Sequence, residues 1–247
     1  SMEKLSMPCI GVTVGASAVA VLLTATFLRP PDPPPVPEAA AVLHALANWD
    51  RRKIVDLTLP FYPGMPHRQA LGDEVIEPLF AHAPGVGRLG AGAQLDRYTL
   101  VGQWGTHVDA PVHFGAGMRS VDQISPGEMV LPLVVLDIHI AVESNPDYVV
   151  SMEDVRFWEN LHGKIPLRAF VALRSDWSKR WPDASAYFNK DAAGISHYPG
   201  WSEAVLRYLD QDRQAVGIGH ETPDTDPGLV ASTSQYPLES WHLRQDR

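Results

Sequence analysis

Cysteine is scarce in this 247-residue sequence, since Cys9 is its one copy. An intramolecular disulfide and a zinc site built from several thiolates are therefore excluded, so any metal must be held by histidine, carboxylate or amide groups. Basic charge is also in deficit, because 20 Lys and Arg against 29 Asp and Glu give a formal net charge of −9. A duplex-binding protein needs a basic surface to neutralise phosphates, so we expect no nucleic-acid partner.

The N-terminal part contains a long apolar segment. Residues 10–28 carry no charge, and residues 29–37 are mostly proline. The apolar run has a length between that of a signal-peptide core and that of a spanning helix of roughly 20 residues; the alternative is a buried core helix. Proline lacks a backbone donor, so the second stretch should be an extended spacer. We expect residues 1–37 to be a signal peptide or membrane anchor with a spacer, and the protein to be exported (periplasmic or secreted) or tethered through residues 10–28.

Residues 38–247 are predicted to form one domain, because hydrophobic residues make up 45% of the chain and can bury a core. Periodicity predicts helices over 38–50, 152–162 and 202–210, and strands over 54–59, 98–101, 130–140, 169–173 and 215–219. The Pro- and Gly-rich stretch 61–92 is predicted to be loop. Strands that alternate with helices indicate an α/β fold class.

Polar residues able to bind a metal or carry a proton concentrate between positions 103 and 113. They are Gln103, His107, Asp109 and His113. If this segment continues the strand that begins at Tyr98, all four lie on one face. His107 and Asp109 are then about 7 Å apart along the chain and can meet at one metal. Gln103, about 13 Å from His107, needs a bulge at Gly105 to reach it.

Proline and aspartate give two further expectations. Pro111 ends the ladder and places His113 on a separate arm, where it suits a proton carrier better than a ligand. Asp224 and Asp226 stand where acidic metal ligands could, but the Asp-x-Asp-Pro-Gly sequence favours a turn closed by side-chain-to-backbone bonds.

Residues 105–114, Gly-Thr-His-Val-Asp-Ala-Pro-Val-His-Phe, resemble the signature of the cyclase family of metal-dependent hydrolases, which includes bacterial kynurenine formamidases and isatin hydrolases. Segments 55–58, 197–201 and 217–228 are also similar, so the resemblance spans residues 54–247. It implies a swivelling β/β/α domain with a mixed sheet. It also implies a metal-dependent amidohydrolase that uses one divalent ion, Mn²⁺ or Zn²⁺, to cleave amide-like C–N bonds.

The resemblance assigns roles to individual residues. His107 and Asp109 match metal ligands and His113 matches the general acid/base, while Gln103 stands where the family usually has its first histidine ligand. An amide oxygen binds Zn²⁺ less well than imidazole, so Gln103 either ligates, which tilts the choice toward Mn²⁺, or orients substrate. Glu239 matches the position of a further group near the metal.

Other assignments concern the pocket and the C-terminus. The loops of His197 and His220 border the substrate pocket in resembling chains, although core or loop roles explain such histidines too. Trp104 packs on the opposite face of the strand or, if the backbone bulges at Gly105, contacts substrate. His242 is a second-ranked substitute ligand. The family's last strand and helix segments do not appear after Arg247, so we expect the C-terminal part of the domain to be missing.

The sequence therefore predicts a hydrolase acting on a small molecule, an N-formyl amide, a cyclic amide or imide, or an isatin-like lactam, through metal-activated water. The alternative is an exported, non-catalytic metal or small-molecule binding protein with a degraded cyclase-family site. The resemblance also implies a homo-oligomer.

Overall fold

The computed structural model describes residues 55–80 and 93–246. The chain divides into a unit of residues 1–57, of which only the exposed, irregular residues 55–57 are described, and a unit of residues 58–247. The predictions for the segment 1–37 and for a helix over 38–50 lie outside the described residues. Among the described helices, none combines the length and the apolar character needed to cross a membrane.

The first strands of the second unit are an antiparallel pair, β1 (Val75–Phe80) and β2 (Leu95–Thr99). Val75 pairs with Thr99, and the register shifts between Pro78 and Phe80. A bulge is expected there because proline has no N–H to give to the ladder. The prediction of loop across 61–92 was therefore wrong for β1, which pairs with β2 although it contains Pro78.

A parallel sheet in the order β3–β4–β5 forms the centre of the unit, from β3 (Leu133–Asp137), β4 (Phe170–Arg174) and β5 (Gly217–Gly219). Steric contact with Phe170 explains why β5 contains glycines. A Cβ on Gly219 would lie 2.6 Å from the Phe170 ring, so only glycine lets that ring lie across the strand. The carboxyl ends of parallel strands open onto the crevice where ligands bind in such sheets.

Helices pack against the core around the sheet, four of them between its strands in the chain and two after its last strand. They are α1 (His139–Ser144), α2 (Met152–His162), α3 (Ala184–Phe188), α4 (Glu203–Gln211), α5 (Gly228–Thr233) and α6 (Pro237–Leu243). Ser151 and Asp154 form a reciprocal capping box that starts α2, and Gly163 with φ +88° ends it. The inward faces of α2 and α4 bury Val155, Val205 and Leu209 in one apolar core with the sheet. The predicted α/β class is confirmed, although antiparallel and parallel pairing occupy separate sheets.

The strands predicted over 98–101 and 215–219 correspond to β2 and β5 with shifted bounds, and two other predicted strands differ more from the structure. Residues 55–60 form no strand, because the Leu59 N–H donates to the Thr106 hydroxyl (2.9 Å) instead of joining a ladder. The strand predicted over 130–140 extends only from Leu133 to Asp137. There the Asp137 carboxylate accepts the His139 N–H (3.2 Å) and turns the chain into α1.

Candidate metal centre

The motif segment is a shaped loop and not the continuation of β2, which ends at Thr99. Trp104 is buried, and its ring packs against His67 with the centroids 4.8 Å apart. Gly105 follows with φ +68°, a conformation that glycine adopts without steric cost. The buried indole therefore anchors the loop while the glycine bends it, so packing is the role that the structure gives Trp104.

Gln103, His107 and Asp109 meet on this loop as their types suggested, although the backbone is not extended. The Gln103 Nε2 donates to Asp109 Oδ1 (3.3 Å), and His107 Nε2 lies 3.2 Å from Asp109 Oδ2. His107 Nδ1 donates to the Gly105 carbonyl (2.8 Å), so in the neutral ring Nε2 carries a lone pair that faces the carboxylate. Histidines that ligate a metal commonly make this second bond to a carbonyl, so the pair fits a cation.

The electrostatics of the pair also fit a cation. The hydrogen bond that the protonated ring donates to Asp109 is the largest effect on the pKa of His107 and raises it above its ordinary value, against the effect of burial. Burial works to raise the pKa of Asp109, but the bonds from His107 and Gln103 and the charge of His113 lower it overall. Asp109 is therefore held as a carboxylate, the form that binds divalent cations.

A third element completes the cluster. A single 3₁₀ turn, Pro111–His113, packs against α6 and directs His113 back toward Asp109. One ligand atom each from Asp109, His113 and Glu239 lies within 4.8 Å of the others, and His113 Nε2 is 3.9 Å from Glu239 Oε1. Pro111 thus starts the turn that brings His113 into the cluster. The sequence had instead predicted that His113 lies on a separate arm.

The carboxyl group of Glu239 has a raised pKa. Burial raises its pKa to about 7, and the negative charges of Asp224 and Asp109 add to the effect. Its side chain is 12% exposed. A cation bound to the cluster would offset this repulsion, so the donor set, with imidazole and carboxylate together, suits a divalent metal such as Mn²⁺ or Zn²⁺.

An ion pair between the partly exposed Arg68 and the buried Asp224 lies near the cluster, since the charge of Asp224 acts on Glu239. The Arg68 Nη2 donates to both oxygens of Asp224, at 2.6 Å for Oδ2, and the Tyr198 hydroxyl donates to the same carboxylate. The Arg68 guanidinium also lies 5.5 Å from the centre of the Tyr236 ring. Sequence reasoning missed this pair because 156 residues separate its members.

Asp224 and Asp226 also depart from the predicted local turn. Both carboxylates are buried, and Asp226 accepts the backbone N–H groups of Leu238 (3.0 Å) and Glu239 (2.9 Å). The bonds of Asp226 are side-chain-to-backbone, as expected, but they reach the first turn of α6 and not the neighbouring residues. The Asp-x-Asp-Pro-Gly sequence was the available signal, and its long-range partners could not be read from it.

The remaining predicted residues occupy different places. The ring nitrogens of His220 contact the Thr222 carbonyl (3.0 Å) and the Thr225 hydroxyl (3.2 Å), and burial lowers its pKa. The charges of Asp109 and His107 also act on that pKa, which places His220 near the cluster. His197 lies 2.8 Å from Asp147 and 3.6 Å from Asp191, so it belongs to a separate ion-pair group.

His242 lies on the same helix as Glu239 and is buried. Among the described residues, the metal-competent cluster consists of Asp109, His113 and Glu239 and does not include it.

The chain matches a known protein family. The model of the family described as putative cyclase matches residues 55–227. The chain belongs to the putative cyclase family. The matched range contains the whole 103–113 loop and the Asp224–Asp226 segment, while Glu239 follows it. The cyclase motif therefore coincides with the residues that the fold brings together.

Several curated or solved proteins are similar to this chain. An isatin hydrolase of Roseibium aggregatum is 32% identical over 128 residues, which cover 50% of this chain and 48% of that protein. The match thus spans about half the length of this curated relative. The structure of isatin hydrolase A from Ralstonia solanacearum is 30% identical with a TM-score of 0.72, covering 89% of this chain and 84% of its own. Isatin hydrolase A from Labrenzia aggregata, bound to benzyl benzoate, is 29% identical with a TM-score of 0.72, covering 85% and 83%.

Proposed function

We propose that this protein is a metal-dependent hydrolase that cleaves an amide-type C–N bond, with an isatin-like cyclic amide as its substrate class. The observation that carries the proposal is the cluster of Asp109, His113 and Glu239 with His107 beside it, in a chain similar to isatin hydrolases over most of its length. In the proposal, His107, Asp109 and Glu239 hold one divalent cation, and Gln103 supports Asp109.

The residues divide the chemistry between them. When bound, a divalent cation acts as a Lewis acid and lowers the pKa of a water molecule to about 7. His113 faces Glu239 and takes the role of general base, accepting the proton of the attacking water and then donating it to the leaving nitrogen. The carbonyl carbon gains the water oxygen while the C–N bond breaks, so the products are a carboxylate and an amine.

The walls of the site favour a flat aromatic substrate. The Phe114 ring meets the His113 ring edge-on, with the centroids 4.8 Å apart, and lies 6.3 Å from Tyr236. Both aromatic residues are partly exposed. Aromatic side chains with one open face bind planar rings by stacking or edge contacts, which supports a fused lactam over a short aliphatic amide.

The experiment is a paired measurement of metal content and turnover on the full chain. We expect about one Mn²⁺ or Zn²⁺ per chain by elemental mass spectrometry, and ring opening of isatin followed by ultraviolet absorbance. Asp109→Asn should lose the metal and the activity together. Asp122→Asn is the matched control, because Asp122 is an exposed aspartate of a 3₁₀ turn that bonds Ser120. A wild-type chain that binds no metal after equilibration would refute the proposal.

A second candidate function is supported by one observation. Gln103 stands where the resembling chains carry histidine, and its side-chain N–H donates a hydrogen bond to one oxygen of Asp109. A site weakened in this way could bind a metal or small molecule without turnover. One ion per chain with no hydrolysis of formyl amides, cyclic imides or lactams would support the binding protein over the enzyme.

A further inference from the structure

We propose that Asp226 is a positioning residue of the metal centre, which holds Glu239 in place through the backbone of Glu239 itself. The inference rests on the proposed function, since it assigns a role around the same cation. It concerns a residue that lies outside the cluster and offers no ligand atom to it.

The contacts of Asp226 are specific to the first turn of α6. Its Oδ1 accepts the Leu238 N–H (3.0 Å) and its Oδ2 accepts the Glu239 N–H (2.9 Å). The first N–H groups of a helix have no partner within the helix. Tyr236, the residue before the helix, is left-handed with φ +58° and provides no side-chain cap, and Pro237 has no N–H. Asp226 therefore supplies the cap from a distant part of the chain.

The position of this bond matters because Glu239 is both the residue capped and a member of the cluster. Fixing its N–H fixes its Cα, from which the carboxylate reaches within 4.8 Å of the ligand atoms of Asp109 and His113. The carboxylate of Asp226 is fully buried, so water cannot replace it as the acceptor. A ligand displaced by about 1 Å is enough to cost on the order of 10²-fold in a catalytic site.

Asp226 is itself held with little freedom. The Gly228 N–H donates to the Tyr198 carbonyl (2.9 Å), which ties the segment after Asp226 to the neighbouring chain. A Cβ on Gly200 would clash with the Pro227 nitrogen, and a Cβ on Gly228 would lie 2.7 Å from the Tyr198 nitrogen. The two glycines let the backbones approach so closely that a side chain at either position would clash. The path from core to Glu239 is thus continuous and tightly packed.

The test is the Mn²⁺ affinity of Asp226→Asn, measured by isothermal titration on the full chain together with its thermal midpoint. Asparagine keeps the volume but turns one acceptor into a donor that faces a backbone N–H. Residues that orient metal ligands typically change metal affinity by about 10- to 100-fold when mutated, and we expect a loss in this range. A helix cap with no link to the metal would lower the thermal midpoint and leave the affinity unchanged.

Asp154→Asn is the matched control. Asp154 also accepts a backbone N–H at a helix start, that of Ser151 at 2.8 Å, but α2 contributes no residue to the cluster. We expect it to lower the thermal midpoint while its Mn²⁺ affinity stays within about twofold of wild type. Wild-type affinity in Asp226→Asn would overturn the inference and leave the proposed function intact. A wild-type chain without metal would overturn both.

A measurement on the wild-type chain covers the case in which Asp226→Asn fails to fold. The amide hydrogens of Leu238 and Glu239 should exchange more slowly once Zn²⁺ is bound, because metal, Glu239 and Asp226 form one connected unit. Hydrogen exchange of the 237–243 peptide, followed by mass spectrometry with and without Zn²⁺, gives this directly. Equal exchange in the two states would refute the coupling.

Discussion

The buried carboxyl of Glu239 should make the metal-free protein less stable as the pH rises. The folded chain keeps the proton on Glu239 up to about pH 7, while the unfolded chain releases it near the ordinary value of 4.5. The folded state therefore binds more protons between these pH values, and the free energy of unfolding falls through this window. Above about pH 7 both states are ionised and this contribution stays constant.

The magnitude follows from the two pKa values. Ionising Glu239 in the folded, metal-free chain at pH 8 costs about 3 kcal/mol relative to the unfolded chain, at about 1.4 kcal/mol per tenfold change. Because the side chain is only 12% exposed, solvent screens little of this cost. Glu239→Gln keeps the shape and removes the charge, so it should be more stable than wild type at pH 8 by up to this amount. At pH 4.5 the two should differ much less.

The assay is urea unfolding of the chelated full chain at both pH values, with the slope of the transition checked for constancy. Glu159→Gln is the opposing control. Burial works to raise the pKa of Glu159, but the bonds from Lys164 and Tyr208 and from the Ile165 N–H lower it overall. Its replacement should therefore destabilise the protein at pH 8. A Glu239→Gln chain that is less stable than wild type at pH 8 would refute the reasoning.

Two further substitutions test the roles of single residues. His113→Ala should keep one ion per chain and lower kcat by about 10²- to 10⁴-fold, measured by metal content and isatin turnover; loss of the ion would make His113 a ligand. Gly228→Ala should lower the free energy of unfolding by about 1–3 kcal/mol in urea, because its Cβ would lie 2.6 Å from the Ser196 carbonyl oxygen. Gly102→Ala, whose Cβ enters open space, is its control, and equal midpoints would contradict the packing argument.

Local signals in the sequence were sufficient where a structure is closed by neighbouring residues. Periodicity over 152–162 predicted α2 with its observed bounds, and the capping box of Ser151 and Asp154 starts that helix in the structure. The apolar run at 169–173 predicted β4 to within one residue at each end. In both cases the decisive interaction is a short-range bond or a buried face that periodicity reveals.

The backbone path of the site could not be predicted in the same way. Gly105 indicated that the chain bends, but its φ of +68° occurs beside the buried Trp104, which packs against His67, a residue 37 positions earlier. The alternation argument placed these side chains together on a strand, whereas in the structure a loop and a 3₁₀ turn bring them together. Residue types therefore indicated the chemistry, while tertiary packing determined its geometry.

The carboxylates around Glu239 connect stability with metal binding. The negative charge of Asp109 is offset by His107, and that of Asp224 by Arg68. Glu239 has a more distant cationic neighbour, His113 Nε2 at 3.9 Å, and the negative charges of Asp109 and Asp224 act on it. Without a cation the site lowers its charge by keeping the Glu239 proton; with one, the same three carboxylates provide the attraction that holds it. The raised pKa and the proposed metal affinity are therefore two consequences of one arrangement. Removing the charge of Glu239 should strengthen the empty fold and weaken the loaded one.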